Sequence, residues 1–206
     1  MLLAIDTSAG TSVAIVDAQG VVHAECDSTD SRTHAEVVGD FIYRCLADAQ
    51  LAVTDLTGVV AGMGPGPFTG LRVGIVAARV FAFGASLPLF RVVTHDAIAL
   101  GETAPVLIAT DARRKEFSWS TYEGTDDAGL PIRQAGPALA PAAELATHVP
   151  HFDHYALREA ATVRAAHLAT LAHLMKANGR EFAGEGAIYL RSPDVTLAAG
   201  PKRVTA

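Results

Sequence analysis

Apolar residues follow two rhythms along this chain. Short unbroken runs at 2–6, 12–17 and 21–26 read as strands, with a hairpin turn at Ala18-Gln19-Gly20 between the last two. Three strands, an antiparallel meander, therefore open the chain. Thr33-His34-Ala35-Glu36 then fits a capping box, a Thr N-cap followed three residues later by a Glu. Val37, Val38, Phe41, Ile42, Cys45, Leu46 and Ala49 follow at helical spacing, with Asp40, Arg44 and Asp48 on the outer face. A strand is predicted at 58–62, a helix at 69–83 stopped by Gly84, a strand at 88–93 and a short helix at 94–100. The first hundred residues thus read βββαβαβα.

The pattern then starts again. Val106-Leu107-Ile108-Ala109-Thr110-Asp111 echoes Leu2-Leu3-Ala4-Ile5-Asp6, each an apolar strand running into an Asp and followed by a strand that ends at a Gly turn. The echo places a boundary near 101–105. Beyond it, strands at 116–122 and 131–139 can pair across the 126–129 turn, followed by short and long helices at 141–146 and 161–177. The expected organisation is a first domain at 1–101, a thinner second domain at 102–192, and a fraying, small and polar tail at 193–206.

Composition narrows the function. Half of the 206 residues are hydrophobic and 18% are charged, below the roughly 25% usual in soluble domains. This excludes a disordered, collagenous or coiled-coil chain and suggests apolar surface awaiting a partner. A net charge of −6 leaves no large basic face, so any nucleic-acid role would come through a partner. The N-terminus lacks the basic region of a signal peptide, and the longest apolar stretch, 73–90, carries Arg79 near its middle. Cys26 and Cys45 sit in apolar segments as reduced thiols, and the chain is expected in the cytoplasm, off the membrane.

Residues 61–84, AGMGPGPFTGLRVGIVAARVFAFG, carry the most information. A glycine-rich loop before a helix suggests a phosphate cradle, but Pro65 and Pro67 have no N–H to offer and the lysine of a P-loop is missing. The helix after it holds only two charges, Arg72 and Arg79, and a row of small residues at Gly70, Gly74 and Ala78. Pattern alone leaves two readings open: a docking face for another helix, or a central core helix. On the first reading, an Asp at Gly74 abolishes partner binding and leaves the fold.

At these residues the chain resembles the TsaB family, also called YeaZ. Gly64-Pro65-Gly66-Pro67-Phe68-Thr69-Gly70-Leu71-Arg72-Val73-Gly74 is similar to the family's GPGSFTGLRVG, with Pro67 for Ser. Leu3-Ala4-Ile5-Asp6-Thr7-Ser8 looks like its first strand, and Arg32-Thr33-His34-Ala35-Glu36 like its H-S-E helix start. Asp111-Ala112-Arg113-Arg114-Lys115-Glu116 resembles its DARRxE, and Ile188-Tyr189-Leu190-Arg191 its terminal P-x-YLR without the proline. The resemblance covers 1–123 well and thins over 124–185. It implies an α/β, actin-like ATPase fold of two tandem ribonuclease-H-like halves, the second reduced. It also implies a non-catalytic subunit that dimerises with a TsaD-type transferase in making threonylcarbamoyladenosine at adenosine 37 of tRNA. A TsaE-type ATPase and tRNA join that complex, which consumes ATP. The implied interface lies on the two first-domain helices, at Thr33, Val37, Val38, Phe41, Thr69, Gly70, Leu71, Arg72, Val73, Gly74, Ala77 and Ala78. Without the partner, the same face is expected to form a homodimer.

The residues offer little chemistry of their own. No His-x-x-x-His pair exists to grip a metal; His148, His151 and His154 are interrupted by Pro150, and no metal is expected. No G-x-S-x-G elbow supports a hydrolase. Asp6, Thr7 and Ser8 are the candidates for a vestigial nucleotide site, otherwise a strand end whose carboxylate caps local backbone. Arg113-Arg114-Lys115 is the densest basic cluster, a solvated face or a local contact to tRNA or partner. The competing function is a small actin-like phosphotransferase or hydrolase that uses Asp6 and Asp111.

Overall fold

Alternation along buried strands decides which layer each residue joins. A computed structural model describes residues 1–30 and 32–191; the tail expected at 193–206 lies outside the described residues. The first sheet is built from β1 (Leu2–Asp6), β2 (Thr11–Val16), β3 (Val22–Ser28), β4 (Gly58–Gly62) and β5 (Leu89–Val92), in the order β3-β2-β1-β4-β5. β1, β2 and β3 are antiparallel neighbours, while β4 and β5 run parallel to β1. Leu3, Ile5, Val13, Ile15, Val59 and Ala61 point to one face, where α1 (His34–Asp48) and α2 (Phe68–Gly84) cover them. Leu2, Ala4, Ala14, Val16, Val60 and Val92 point to the other.

The second sheet is β8-β7-β6-β9, from β6 (Pro105–Asp111), β7 (Glu116–Thr125), β8 (Pro131–Pro141) and β9 (Ala156–Glu159). β6 repeats β1: it pairs antiparallel with the next strand and parallel with a later one. The second half therefore has the first half's plan with one strand fewer. Its outer face is closed by Trp119, Ala140, Leu145 and Val149, partly through the short α4 (Leu145–His148). Two antiparallel-then-parallel sheets of this kind make an actin-like, ribonuclease-H-like α/β fold.

Helix α5 (Ala165–Ala177) changes the domain picture. Division by sequence counts it with the second half, yet it packs on β1, β2, β4 and β5 of the first sheet and on α3 (Thr94–Ile98). Its Leu168 and Leu171 share one core with Leu2, Val60, Ile108 and Tyr122, which belongs to both halves. The first half also caps its N-terminus: Ala165 N–H donates to Ser12 Oγ at 2.9 Å and Ala166 N–H to Glu25 Oε1 at 3.1 Å. A second tie runs through α3. Buried His95 meets Ser120 Oγ through Nδ1 at 2.8 Å and Thr110 Oγ1 through Nε2 at 3.0 Å. Tyr122 O–H donates to Asp96 Oδ1 at 2.7 Å.

Two local expectations are corrected, and one strand appears that the sequence reading lacked. The capping box at Thr33 does not form: its side chain makes no cap bond and donates instead to Asp30 C=O at 3.3 Å. The last helix begins at Ala165 rather than near 161, because the preceding segment is needed to leave the sheet. β9 was not legible as a strand at all; its four residues are all exposed and carry no alternation.

Candidate functional site

The ends of β1 and β4 set the geometry of the first candidate. Asp6 is buried at the end of β1 and collects three donors: Ser8 N–H at 2.8 Å and Ser8 O–H at 2.5 Å on Oδ1, and Thr94 O–H at 2.7 Å on Oδ2. Burial pushes the Asp6 carboxyl above the ordinary aspartate value, against the pull of those bonds. Gly62 has no room for a side chain, since a Cβ there would fall on Asp6 Oδ2. Thr94 Oγ1 also accepts the Gly64 N–H at 3.1 Å, and a Cβ on Gly66 would sit 2.7 Å from Ser8 Cβ. The glycine-proline loop is therefore moulded onto Asp6–Ser8 on one side, while Pro65, Gly66 and Pro67 wall a cleft on the other.

Thr7 is engaged just as fully. Its hydroxyl donates to Gly70 C=O at 2.7 Å and accepts from Gly74 N–H at 2.8 Å. One side chain just past the end of β1 thus bridges both groups of a single turn of α2. Gly70 and Gly74 are bare because Thr7 and His34 occupy the space their side chains would need. His34, beneath the same turn, meets Thr11 Oγ1 through Nδ1 at 2.7 Å.

Asp6 thus caps the Ser8 N–H, Thr7 bridges distant backbone of α2, and Ser8 returns its hydroxyl to Asp6, so all three side chains are engaged within the chain. Asp111, the echo of Asp6, is instead exposed at the end of β6 and paired with Arg113 at 3.5 Å. Asp111 and Ser8 share a cleft of about 210 Å³ between the halves, but Asp6 is not in its wall. The two carboxylates on which the enzyme reading relies do not face one space. Asp6→Ala is expected to cost about 2–4 kcal/mol of stability, because it strands buried Ser8 and Thr94 hydroxyls. Asp6→Asn keeps one acceptor and loses less. Urea midpoints of the two variants measure the difference, and equal midpoints would refute the capping role.

The small-residue stripe faces inward, so the expected docking residues divide. Gly70, Leu71, Gly74 and Ala78 of α2 are buried within this chain, while Phe41 of α1 keeps only an edge at the surface, as Val38 does. Thr33, Val37, Val38, Thr69, Val73 and Ala77 stay at or near the surface, Val38 only at its edge. The residues that stand out were missed. Val76, Val80 and Phe83 of α2 are 54%, 65% and 89% exposed, and Tyr43 of α1 is 72% exposed. Between α1 and α2 lies an apolar groove of about 660 Å³ walled by Ala35, Val38, Phe68, Val73, Val76 and Val80. The spacing 76, 80, 83 is itself a helical stripe, but a helix apolar nearly all round does not reveal which stripe faces out.

The two arginines of α2 turn to the chain's own C-terminal segment. Arg72 Nε donates to Tyr189 Oη at 2.8 Å, its guanidinium lies 3.8 Å over the Phe68 ring, and Arg79 donates to Glu185 C=O. Arg113, Arg114 and Lys115 form the β6–β7 turn, all with left-handed backbone. Beside that turn, a second cleft of about 390 Å³ is lined by Pro67, Phe68, Arg113, Arg114, Tyr189 and Arg191. Among the described residues no group of three or more His, Cys, Asp or Glu side chains could hold a metal ion. No helix among them is long and apolar enough to cross a membrane.

Comparison with known proteins agrees with this architecture. The family model described as "TsaD: tRNA N6-adenosine threonylcarbamoyltransferase" matches residues 18–187. An uncharacterized protein of Mycobacterium tuberculosis is 40% identical over 147 residues, 70% of this chain and 66% of that protein. The tRNA threonylcarbamoyladenosine biosynthesis protein TsaB of Escherichia coli is 33% identical over 134 residues, 63% of this chain and 57% of that one. The structure of YeaZ from Pseudomonas aeruginosa superposes with a TM-score of 0.74 at 25% identity, over 92% of this chain and 99% of that chain. The matched region spans 38% to 66% of the length of the curated relatives that head the comparison. The match to the TsaD model places the chain in that family, and the curated relatives and the solved YeaZ structure narrow the place: this chain belongs to the TsaB/YeaZ family.

Proposed function

We propose that this chain is a non-catalytic subunit that docks a TsaD-type transferase on the α1–α2 face and so supports threonylcarbamoyl transfer to tRNA. The observation that carries the reading is the ridge of Val76, Val80 and Phe83 beside an apolar groove, on a helix whose opposite side is fully packed. The closed state of Asp6, Thr7 and Ser8 supports the same reading, since their polar atoms are already engaged. The reading places the protein in the cytoplasm. There a TsaE-type ATPase and tRNA join through the complex, which consumes ATP. Alone, the chain covers the same ridge with a second copy, and a strictly monomeric sedimentation profile at micromolar concentration would count against that.

The test is co-purification with the TsaD-type paralogue of the same genome, then a transfer assay on tRNA omitting each subunit in turn. Activity is expected only with both. In the double variant Val76→Asp, Val80→Asp, affinity is expected to fall ~100-fold or more, as for central apolar anchors of an interface. The melting temperature should move little, because both side chains are exposed. Binding as tight as wild type would remove the α1–α2 face from the proposal.

A further inference from the structure

The terminal Ile188-Tyr189-Leu190-Arg191 motif has no part in the reading above, yet it belongs to an irregular segment held at several points along its length. After α5 the chain turns at Gly179 and crosses the first half without forming a helix or strand. Phe182 packs on Phe90 at 5.0 Å, ring centre to ring centre. Ala183 lies along the open edge of β5, its N–H donating to Arg91 C=O at 2.9 Å while Arg91 Nε returns a bond to Ala183 C=O at 3.1 Å. Arg79 holds the Glu185 carbonyl. Ile188 N–H donates to Met63 C=O at 2.8 Å, directly before the glycine-proline loop. Tyr189 packs on Phe68 at 4.8 Å, beneath the Arg72 guanidinium. Arg191 ends the run by pairing with Glu116 of the second half.

Three guanidinium groups of the first half, Arg72, Arg79 and Arg91, are thus spent on this one segment. Where it ends matters more. Phe68 and Arg72, which Tyr189 holds, are also walls of the apolar groove between α1 and α2. Phe68 and Tyr189 wall the cleft on the other side. A single aromatic-guanidinium stack therefore fixes the first turn of α2 from the side opposite the groove.

We propose that residues 183–191 are a latch that holds the Gly64–Pro67 loop and the first turn of α2 in the geometry the groove needs, so that releasing the latch weakens docking there. The effect on docking rests on the reading of the groove as the partner face; the latch itself does not. Tyr189 is a positioning residue in this scheme. It touches no partner and acts through Phe68 and Arg72.

The test uses the full chain with Tyr189→Ala and Tyr189→Phe, read by amide hydrogen exchange and by titration with the TsaD-type paralogue. In Tyr189→Ala the Ile188 amide is expected to exchange at least ~10-fold faster, with the amides of 68–71 following. Affinity for the paralogue is expected to drop ~10-fold. Tyr189→Phe keeps the ring on Phe68 and loses only the hydroxyl, so it falls between. Unchanged protection of Ile188 in Tyr189→Ala overturns the latch. Lost protection with unchanged affinity overturns its control of docking. The Val76→Asp, Val80→Asp protein separates the two readings: it should lose the partner while Ile188 stays protected. If it binds as wild type does, the groove reading fails, and the latch is decided by the exchange measurement alone.

Discussion

Gly74→Asp is expected to prevent folding rather than to produce a folded subunit that cannot dock. A Cβ at Gly74 falls on Thr7 Oγ1 and lies 3.1 Å from Thr7 Cγ2. The Thr7 hydroxyl would lose both the Gly70 carbonyl and the Gly74 N–H. A carboxylate would then be buried between β1 and α2 with no cation at hand. An overpacked site, broken buried hydrogen bonds and an unpaired buried charge together cost more than about 5 kcal/mol, comparable with the whole stability of a typical domain. Circular dichroism and the soluble fraction on expression report the outcome. A soluble variant with wild-type melting would refute the packing described for Thr7. The same variant is a poor probe of docking, since lost binding would follow from lost structure. Val76→Asp is the clean probe, being on the opposite side of the same helix.

The second large effect is on acid stability. Burial pulls the His95 imidazole down to about 3, and its two ring nitrogens are both engaged, by Ser120 and Thr110. The unfolded chain titrates this histidine near 6.5, so above that pH both states hold it neutral and nothing changes. Between 6.5 and about 3 the unfolded state takes up a proton that the folded state refuses. Stability therefore falls with falling pH at up to about 1.4 kcal/mol per unit, or about 4–5 kcal/mol across the window. Asp6 and Asp96 work the other way: burial raises both, so the folded state is protonated first and gains stability as pH falls toward the ordinary aspartate value. His34, His167 and His173 are lowered by burial and add to the acid loss. Comparison with His95→Gln removes these shared contributions. Urea midpoints at neutral pH and near pH 4.5 should converge by about 3 kcal/mol, whatever the variant loses at pH 7. Parallel pH profiles would show that His95 does not couple the halves as a neutral group.

How much of this was legible depends on where each element finds its partners. The first-half strands declared themselves because β1 and β4 are buried on both faces and read as unbroken apolar runs. The glycine-proline segment was found in the sequence, and it packs against Asp6–Ser8 at the end of β1. What sequence could not supply was direction. Gly70, Gly74 and Ala78 make an equally good stripe whether they approach a foreign helix or the end of β1, and only Thr7, 67 residues earlier than Gly74, settles it. β9 has no apolar alternation because its side chains lie in solvent, and it is a strand only through backbone pairing with β6. α5 reads correctly as a helix, but its address on the first sheet rests on contacts such as Ala165 with Ser12, 153 residues apart. Arg72, expected in the docking face, and Arg79 both serve the C-terminal segment, because a guanidinium binds an oxygen of its own chain as well as one elsewhere.

The return of α5 to the first sheet also fixes an order of events during synthesis. Leu2, Ala4, Ala14, Val16 and Val60 have their strand neighbours once β5 has been made, but one face of that sheet waits for its main cover until residues 165–177 follow. On the ribosome the first half must wait, with an apolar surface open to water, for α5, which is made after all four strands of the second sheet. Non-local closure of this kind is slow and exposes aggregation-prone surface. A nascent chain arrested near residue 150 should therefore recruit a holding chaperone that an arrest past α5 releases.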